Sequence, residues 1–186
     1  MKIVTTNLQV TSFNFRNDNT LIRDCEVLYL PPFVRALYAV VGYAFRVDRP
    51  AKNVDPSFGS RYISHYTPAL CFDGSKIESG ILSDSPAVGT FLDHSSLIPL
   101  TLYPIEDTLS SSFKVKVEGV ELIVSESGNS GLRTIANHAL STLSRLFTLK
   151  TGDFIFVEIE KSKEKLTKGE LEFFFNQTLL YNFEIK

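Results

Sequence analysis

Three side chains of types that bind metals lie close together near the middle of the chain, namely His65, Cys71 and Asp73, and His94 follows them. A thiolate combined with imidazoles would suit Zn²⁺ better than Mg²⁺. Zinc motifs, however, use tight paired spacings, and these four residues have none. We therefore expect Cys71 to act as a small buried hydrophobe and His94 to be a loop residue.

Serine and histidine residues could in principle supply a nucleophile and a base. No serine stands in the Gly-x-Ser-x-Gly pattern that sets a nucleophile on a sharp turn. His138 falls within a helical pattern, at the edge of its apolar face. Residues 125–131 form a glycine-rich entry to that helix and could cradle a phosphate, although a plain loop is the favoured interpretation. Residue types alone thus do not favour nucleophilic catalysis.

Charge argues against a nucleic-acid partner. The net charge is −2 and the isoelectric point is about 5.9, so the chain offers no field that would attract phosphate backbones. The one cluster of basic residues alternates with glutamates, which is typical of a solvated turn; it comprises Lys161, Lys163, Lys165 and Lys168.

The apolar runs and the cysteines indicate the cellular compartment of the protein. No run approaches the ~20 apolar residues of a membrane-spanning helix, and the first residues lack the long apolar segment of a signal peptide. Two cysteines, Cys25 and Cys71, can form at most one bridge. We therefore expect a reduced, cytoplasmic protein with no membrane contact and no cofactor.

A helix, a turn and a strand form the segment around which the rest of the chain is organised. Apolar side chains recur at intervals of three and four over residues 132–147, which predicts an amphipathic helix packed on a sheet, with Thr134 as its N-cap. Gly152 and Asp153 turn the chain. The aromatic and β-branched run at residues 154–157 then predicts a buried strand.

Most of the remaining chain predicts strands. Residues 37–47 are too apolar for a surface strand and predict the centre of a sheet, with a second buried strand at 68–72. The other expected elements are strands at 2–5, 9–15, 20–30 and 97–103, a short helix at 58–66, an ordered loop at 75–96, and hairpins at 113–124 and 170–185. We expect one domain over residues 1–186, of the α+β class with one main helix packed on a mixed sheet.

The last hairpin carries five aromatic residues: Phe173, Phe174, Phe175, Tyr181 and Phe183. Because successive side chains of a strand point to opposite faces, Phe173 and Phe175 should face one way and Phe174 the other. Exposed aromatic patches usually mark an interaction surface, which favours association with a second chain. Burial by another layer of the same chain stays open as the alternative.

Residues 147–156, which read Phe-Thr-Leu-Lys-x-Gly-Asp-x-Ile-Phe, resemble the late helix, turn and strand of the fumarylacetoacetate hydrolase family. Residues 15–23 are similar to the family's early Phe-Leu-Lys-Pro segment, and residues 29–33 are similar to its approach to the metal-binding strand. The resemblance covers nearly the whole chain. It implies the family's β-rich mixed sandwich roll and a dimer.

The family's metal site is substituted in this sequence. The resemblance implies Mg²⁺ or Mn²⁺ held by a Glu-x-Glu pair on one strand and by an Asp on a later strand, which are hard oxygen ligands that share a face. The matching positions are Val40, Gly42 and Cys71. The family's lysine corresponds to Thr90, and an alternative register that places Leu70 there also lacks it.

The family's substrate loop, Thr-Gly-Thr-Pro, is also replaced, so that Val157 and Ile159 stand at the matching positions. Because the metal and the lysine serve the same charge-stabilising step, we expect a diverged, non-catalytic protein that acts as a binding or partner subunit. It would form a homodimer, or a heterodimer with an active paralogue, and the sequence does not name a small-molecule ligand. The alternative is an active metal-dependent hydrolase or isomerase of β-dicarbonyl or 2-oxo acid compounds with a remodelled site.

Overall fold

A computed structural model describes residues 1–22, 27–32, 34–77, 90–106, 111–127 and 131–186. Twelve strands and one α-helix are assigned in these ranges. In chain order they are β1 (Lys2–Asn7), β2 (Phe13–Asn17), β3 (Val27–Leu28), β4 (Val34–Arg46), β5 (His65–Ile77), β6 (Ser96–Leu97), β7 (Tyr103–Pro104), β8 (Ser111–Val117), β9 (Val120–Ser127), α1 (Leu132–Leu146), β10 (Phe154–Lys161), β11 (Gly169–Phe175) and β12 (Thr178–Ile185).

The first sheet has seven strands in the order β2-β1-β10-β4-β5-β6, with β7 paired to β5. β1 and β10 run parallel and the other neighbours are antiparallel, so the sheet is mixed. β4 lies between β10 and β5, as its apolar sequence predicts, because a central strand is covered on both faces. The strands expected at residues 37–47, 68–72 and 154–157 are confirmed.

The second sheet has five strands in the order β3-β12-β11-β8-β9. Its inner face packs on the first sheet, and the two sheets share one apolar core with α1. Both expected hairpins are present, and the left-handed backbone at Glu118 and Gly119 (φ +51° and +75°) closes the first of them. The two sheets and the helix thus form the layered α+β arrangement that the sequence predicts.

Helix α1 begins at Leu132, before the start that an N-cap at Thr134 would give. Gly131 is its N-cap, and Thr134 lies inside the first turn, so the prediction of Thr134 as N-cap is wrong. The buried face of the helix joins the main core through Leu132, Ala136, Ala139, Leu140 and Leu143. No helix among the described residues is long and apolar enough to cross a membrane.

Five other expectations differ from the structure in their boundaries. The strand expected at 9–15 begins at Phe13, because residues 8–12 form the turn after β1. Only Val27–Leu28 is strand within 20–30, and residues 23–26 lie outside the described residues. The short helix expected at 58–66 is a 3₁₀ turn at Pro56–Arg61. In place of the strand expected at 97–103, β6 ends at Leu97 and β7 begins at Tyr103. Of the loop expected at 75–96, residues 78–89 lie outside the described residues and residues 75–77 belong to β5.

The aromatic residues of the last hairpin are largely covered by the chain itself. Phe173, Phe175 and Phe183 are buried in the core, and Tyr181 packs partly against it. Phe174 points outward, with the Lys116 ammonium 5.6 Å from its ring centre. Burial by the same chain, which the sequence left open, is confirmed for Phe173, Phe175 and Phe183, and association with a second chain stays a prediction.

Candidate functional site

Two of the three positions that match the family's metal ligands lie side by side on the first sheet. Val40 of β4 is directly opposite Cys71 of β5 on one side and Lys161 of β10 on the other. Val40 and Cys71 face away from the main core, in a small second cluster with Phe156. Their exposed fractions are 2% and 1%, so neither side chain reaches solvent.

The third position, Gly42, has no space for a side chain. It lies opposite Glu158 next to a bulge in β10, where the register of the pairing shifts between Glu158 and Glu160. A Cβ atom at residue 42 would overlap the carbonyl oxygen of Val157. Glycine is therefore required here by the close approach of the β10 backbone, and no longer residue could project from this point without moving β10.

A buried arginine lies over the same part of the sheet. Arg16 of β2 is 3% exposed, and its Nη2 donates to the carbonyl oxygen of Phe72 at 3.0 Å. Its Nη1 donates to the carbonyl oxygen and the hydroxyl of Ser95, at 3.3 and 3.2 Å. These bonds hold a fixed positive charge beside Cys71, because Phe72 is the next residue in β5.

Charged and aromatic side chains form the more exposed rim of this region. Lys161 Nζ lies 2.5 Å from Asp73 Oδ2 and 5.3 Å from the centre of the Tyr38 ring. The side chains of Lys161 and Asp73 are 44% and 33% exposed. Glu158 is half-buried on the same face as Phe156. The rim therefore contains an ion pair and a second carboxyl group.

Burial changes the protonation of two groups here. Desolvation raises the pKa of Glu158, and the negative charge of Asp73 raises it further, while Arg16 and Lys161 oppose both effects. Desolvation also raises the pKa of the Cys71 thiol, although Arg16 and a hydrogen bond with Ser96 act in the opposite direction. Cys71 is a free, buried thiol, as the sequence predicts.

These residues do not fit a Mg²⁺ or Mn²⁺ ion, which needs several hard oxygen donors. Val40 and Gly42 supply no side-chain donor, and Cys71 supplies a soft sulfur whose thiol burial keeps protonated. Asp73 is already paired with Lys161. Within the described residues, no three His, Cys, Asp or Glu side chains are grouped so that they could hold a metal ion.

The other substituted positions are apolar or buried. Val157 and Ile159 point to the main core on the opposite face of β10, and Thr90 is 4% exposed. None of the three presents a charged group to the region of Arg16 and Glu158. The side chains of Val157 and Ile159 therefore serve packing in this structure.

The histidines do not join Cys71 and Asp73 in one site. His65 begins β5, where its Nδ1 lies 2.8 Å from the hydroxyl of Ser64. His94 is exposed in a left-handed conformation (φ +57°) in the segment before β6. His138 is exposed on α1, near the edge of its packed face as expected, with Nε2 3.5 Å from the carbonyl oxygen of Gln9.

Arg16, Glu158 and Lys161 were not identified from the sequence as site residues. A signal was present for Glu158, because it directly follows an apolar run and period-two alternation puts it on the face of Phe156. Arg16 lies in a strand whose other residues are uncharged, so the local sequence does not show which way its side chain points. Only the pairing of β2 with β1, which sets Arg16 opposite Ile3, reveals that its side chain points to the buried face.

No protein-family model matches the sequence, and no curated protein matches it. Solved structures do match the fold. A Yersinia pestis CO92 protein described as belonging to the fumarylacetoacetate hydrolase family has a TM-score of 0.76 and 16% identity, over 100% of this chain and 92% of its own.

Two similar structures are of enzymes with more specific names. Fumarylpyruvate hydrolase from Pseudomonas aeruginosa, solved with Mn²⁺ and pyruvate, has a TM-score of 0.73 and 13% identity, over 100% of this chain and 88% of its own. 5-Carboxymethyl-2-hydroxymuconate delta-isomerase from Mycobacterium smegmatis has a TM-score of 0.77 and 14% identity, over 99% and 75%. The chain therefore has the fold of this hydrolase and isomerase family, and the fold expectation is confirmed.

Proposed function

We propose that this chain is a diverged protein of the fumarylacetoacetate hydrolase fold that does not carry out metal-dependent catalysis and acts as a binding or partner subunit. The observation that supports it best is Arg16. Its guanidinium, held by Phe72 and Ser95, supplies a fixed positive charge beside Cys71, where the resemblance implies a metal ligand. A mobile divalent cation would meet repulsion from this charge and few donors.

The test is metal binding by the purified protein. Ligand that binds only the folded state raises its stability by about 2.7 kcal/mol at one hundred times its dissociation constant. We expect no saturable rise in melting temperature with millimolar Mg²⁺ or Mn²⁺, compared with NaCl of equal ionic strength. A saturable rise that EDTA reverses would contradict the proposal.

A second candidate is an active hydrolase or isomerase with a remodelled site. The observation that favours it is Glu158, whose carboxyl has a raised pKa beside Asp73 and Lys161. A raised pKa brings this carboxyl closer to the pH at which a general acid or base must exchange its proton. Turnover of fumarylpyruvate in the presence of EDTA, lost in Glu158→Gln and kept in Glu160→Gln, would establish this candidate in place of the first.

The partner role includes association with a second copy or with an active paralogue. The family resemblance supports a dimer, and light scattering of the purified 20.9 kDa chain tests it directly. A single-chain mass over a wide concentration range would leave only the paralogue. The free thiol of Cys71 supports a reducing compartment such as the cytoplasm.

A further inference from the structure

A cleft lies between the two sheets beside one edge of β5. Along this edge β7 pairs with residues 65–66 and β6 pairs with residues 70–71. Pro68, between these two pairings, has no N–H group to donate to a further strand. Residues 98–102 connect β6 to β7 without forming a strand. The resulting cavity has a volume of about 210 Å³, and we call it the tyrosine cleft because Tyr103 and Tyr181 line it.

A β-bulge in β12 supplies the wall from the second sheet. Phe173 of β11 pairs with Tyr181, and Phe174 pairs with Leu179. Leu180 is therefore an extra residue in β12. Leu180 and Tyr181 both line the tyrosine cleft, although consecutive residues of a regular strand point to opposite faces. Bulges redirect side chains in this way and occur often next to active sites.

Ring contacts fix the position of Tyr103 in the wall from the first sheet. Its ring centre lies 5.8 Å from that of Tyr66 and 6.5 Å from that of Phe175, and both of these residues belong to the main core. Pro68 lies on the face of β5 that belongs to the main core, whereas Cys71 faces the other side of the sheet. The tyrosine cleft therefore borders the main core and is separate from the candidate site.

The two tyrosine hydroxyls give the tyrosine cleft a capacity for hydrogen bonds that the protein itself does not use. Both side chains are half-buried. In the part of the chain that the structure describes, no residue forms a hydrogen bond with the hydroxyl of Tyr103 or Tyr181. Desolvation raises the pKa of Tyr181, so its hydroxyl keeps its proton and can donate it to an acceptor. A ligand oxygen in the cleft would supply such an acceptor.

Charge and size restrict what the tyrosine cleft can hold. None of the residues that line it is charged; Pro99, Leu100 and Thr101 complete the lining. A charged ligand would lose hydration there without an opposite charge to offset the loss. An apolar cavity of about 150 Å³ is enough to take up benzene, so the cleft has room for one ring with a short substituent. These properties favour a small, uncharged ring compound.

We propose that the tyrosine cleft binds a small uncharged ring compound that carries a carbonyl oxygen. The ring packs between Tyr103 and Leu180, and the oxygen accepts a hydrogen bond from the hydroxyl of Tyr181. A carboxylate of the same size fits less well, because the cleft offers it no cation. A hydrocarbon of the same shape leaves the hydroxyl without a partner. The inference goes beyond the proposed function, since the cleft shares no residue with the candidate site.

Three probes of similar size test this ligand class: acetophenone, benzoate and ethylbenzene. Each is titrated into the wild-type chain, and the NMR shifts of the backbone amides are followed. We expect acetophenone to give saturable shifts at residues 100–103 and 180–181, and the other two probes to bind about tenfold more weakly or less. Equal binding of benzoate or of ethylbenzene would overturn the proposal. Failure of acetophenone to saturate these shifts up to its limit of solubility would also overturn it.

Matched variants locate the binding site. Tyr181→Phe should weaken acetophenone binding by about tenfold and leave ethylbenzene binding unchanged, whereas Tyr29→Phe, at an exposed tyrosine elsewhere, should change neither.

Thr101→Trp should block the tyrosine cleft and abolish binding. Its control, Thr151→Trp, should bind as the wild type does, because both threonines are exposed but only Thr101 lines the cleft. Equal affinity in a variant and its control would overturn the proposal. The metal titration is independent of these results, so failure here and failure of the proposed function are distinguishable.

Discussion

Arg16 and Phe72 are 56 positions apart in the chain, yet Nη2 of Arg16 donates to the carbonyl oxygen of Phe72 at 3.0 Å. The bond joins the edge strand β2 to β5, across the strands that separate them in the sheet. It also fixes a cation beside Cys71. One side chain thereby serves both the fold and the electrostatics of the candidate site.

Arg16→Met should destabilise the protein by about 3 kcal/mol, because the buried carbonyl oxygens of Phe72 and Ser95 lose a charged donor. Urea denaturation of the variant measures the loss. Arg49→Met is the control, since Arg49 is exposed, and its free energy of unfolding should change by less than about 0.5 kcal/mol. A similar small change in both variants would show that Arg16 has no such role.

Glu158→Gln should raise the melting temperature at about pH 8, with a gain that disappears toward about pH 4. The pKa of Glu158 is raised above its ordinary value of 4.5 in the folded protein. The folded state therefore binds the proton more tightly than the unfolded state. Stability from this group is fully present below pH 4.5 and is lost as the pH rises through the folded pKa.

Thermal melting over a pH series measures this difference. Glu160→Gln, at an exposed position of the same strand, should follow the wild-type curve at every pH. A gain in Glu158→Gln that is constant across the series would contradict the burial of the charged form. A loss of stability at about pH 8 would mean that the Glu158 carboxylate is stabilised in the folded state, contrary to the expected sign.

Gly42→Ala should cost about 2 kcal/mol or more, because its Cβ would overlap the Val157 carbonyl oxygen at the β10 bulge. Urea denaturation again measures the change. Gly119→Ala is the comparison: a Cβ there meets nothing within 4 Å, and only the φ of +75° opposes it, at about 1 kcal/mol. If Gly42→Ala is the milder of the two, the backbone approach at Gly42 is not rigid.

Hydrophobic patterns predicted the fold well where an element is long and its apolar pattern is regular. β4 and α1 are of this kind, because one apolar face or a continuous apolar run leaves few alternatives. β3, β6 and β7 have two residues each, and such short pairings depend on neighbouring strands that come from distant parts of the chain. Their positions could not be predicted from local sequence.

The candidate site was predicted in part. The buried character of Cys71 follows from its place in an apolar run, and its neighbour Val40 follows from the pairing of two central strands. Arg16 and Lys161 join the site only through the order of strands in the sheet and the bulge in β10. A rule based on residue spacing cannot represent either feature, because both depend on tertiary structure.

The parallel pairing of β1 with β10 can form only late in translation. β1 is made first, yet one of its two neighbours comes about 150 positions later, as the bond from the Lys2 N–H to Asp153 shows. At ribosomal rates of about 5–20 residues per second, β1 waits roughly 10–30 seconds with that edge open. Pairing over such distances also slows folding. The nascent β1–β2 hairpin, with Phe13 and Phe15 exposed, thus keeps an unpaired strand edge until β10 has been made.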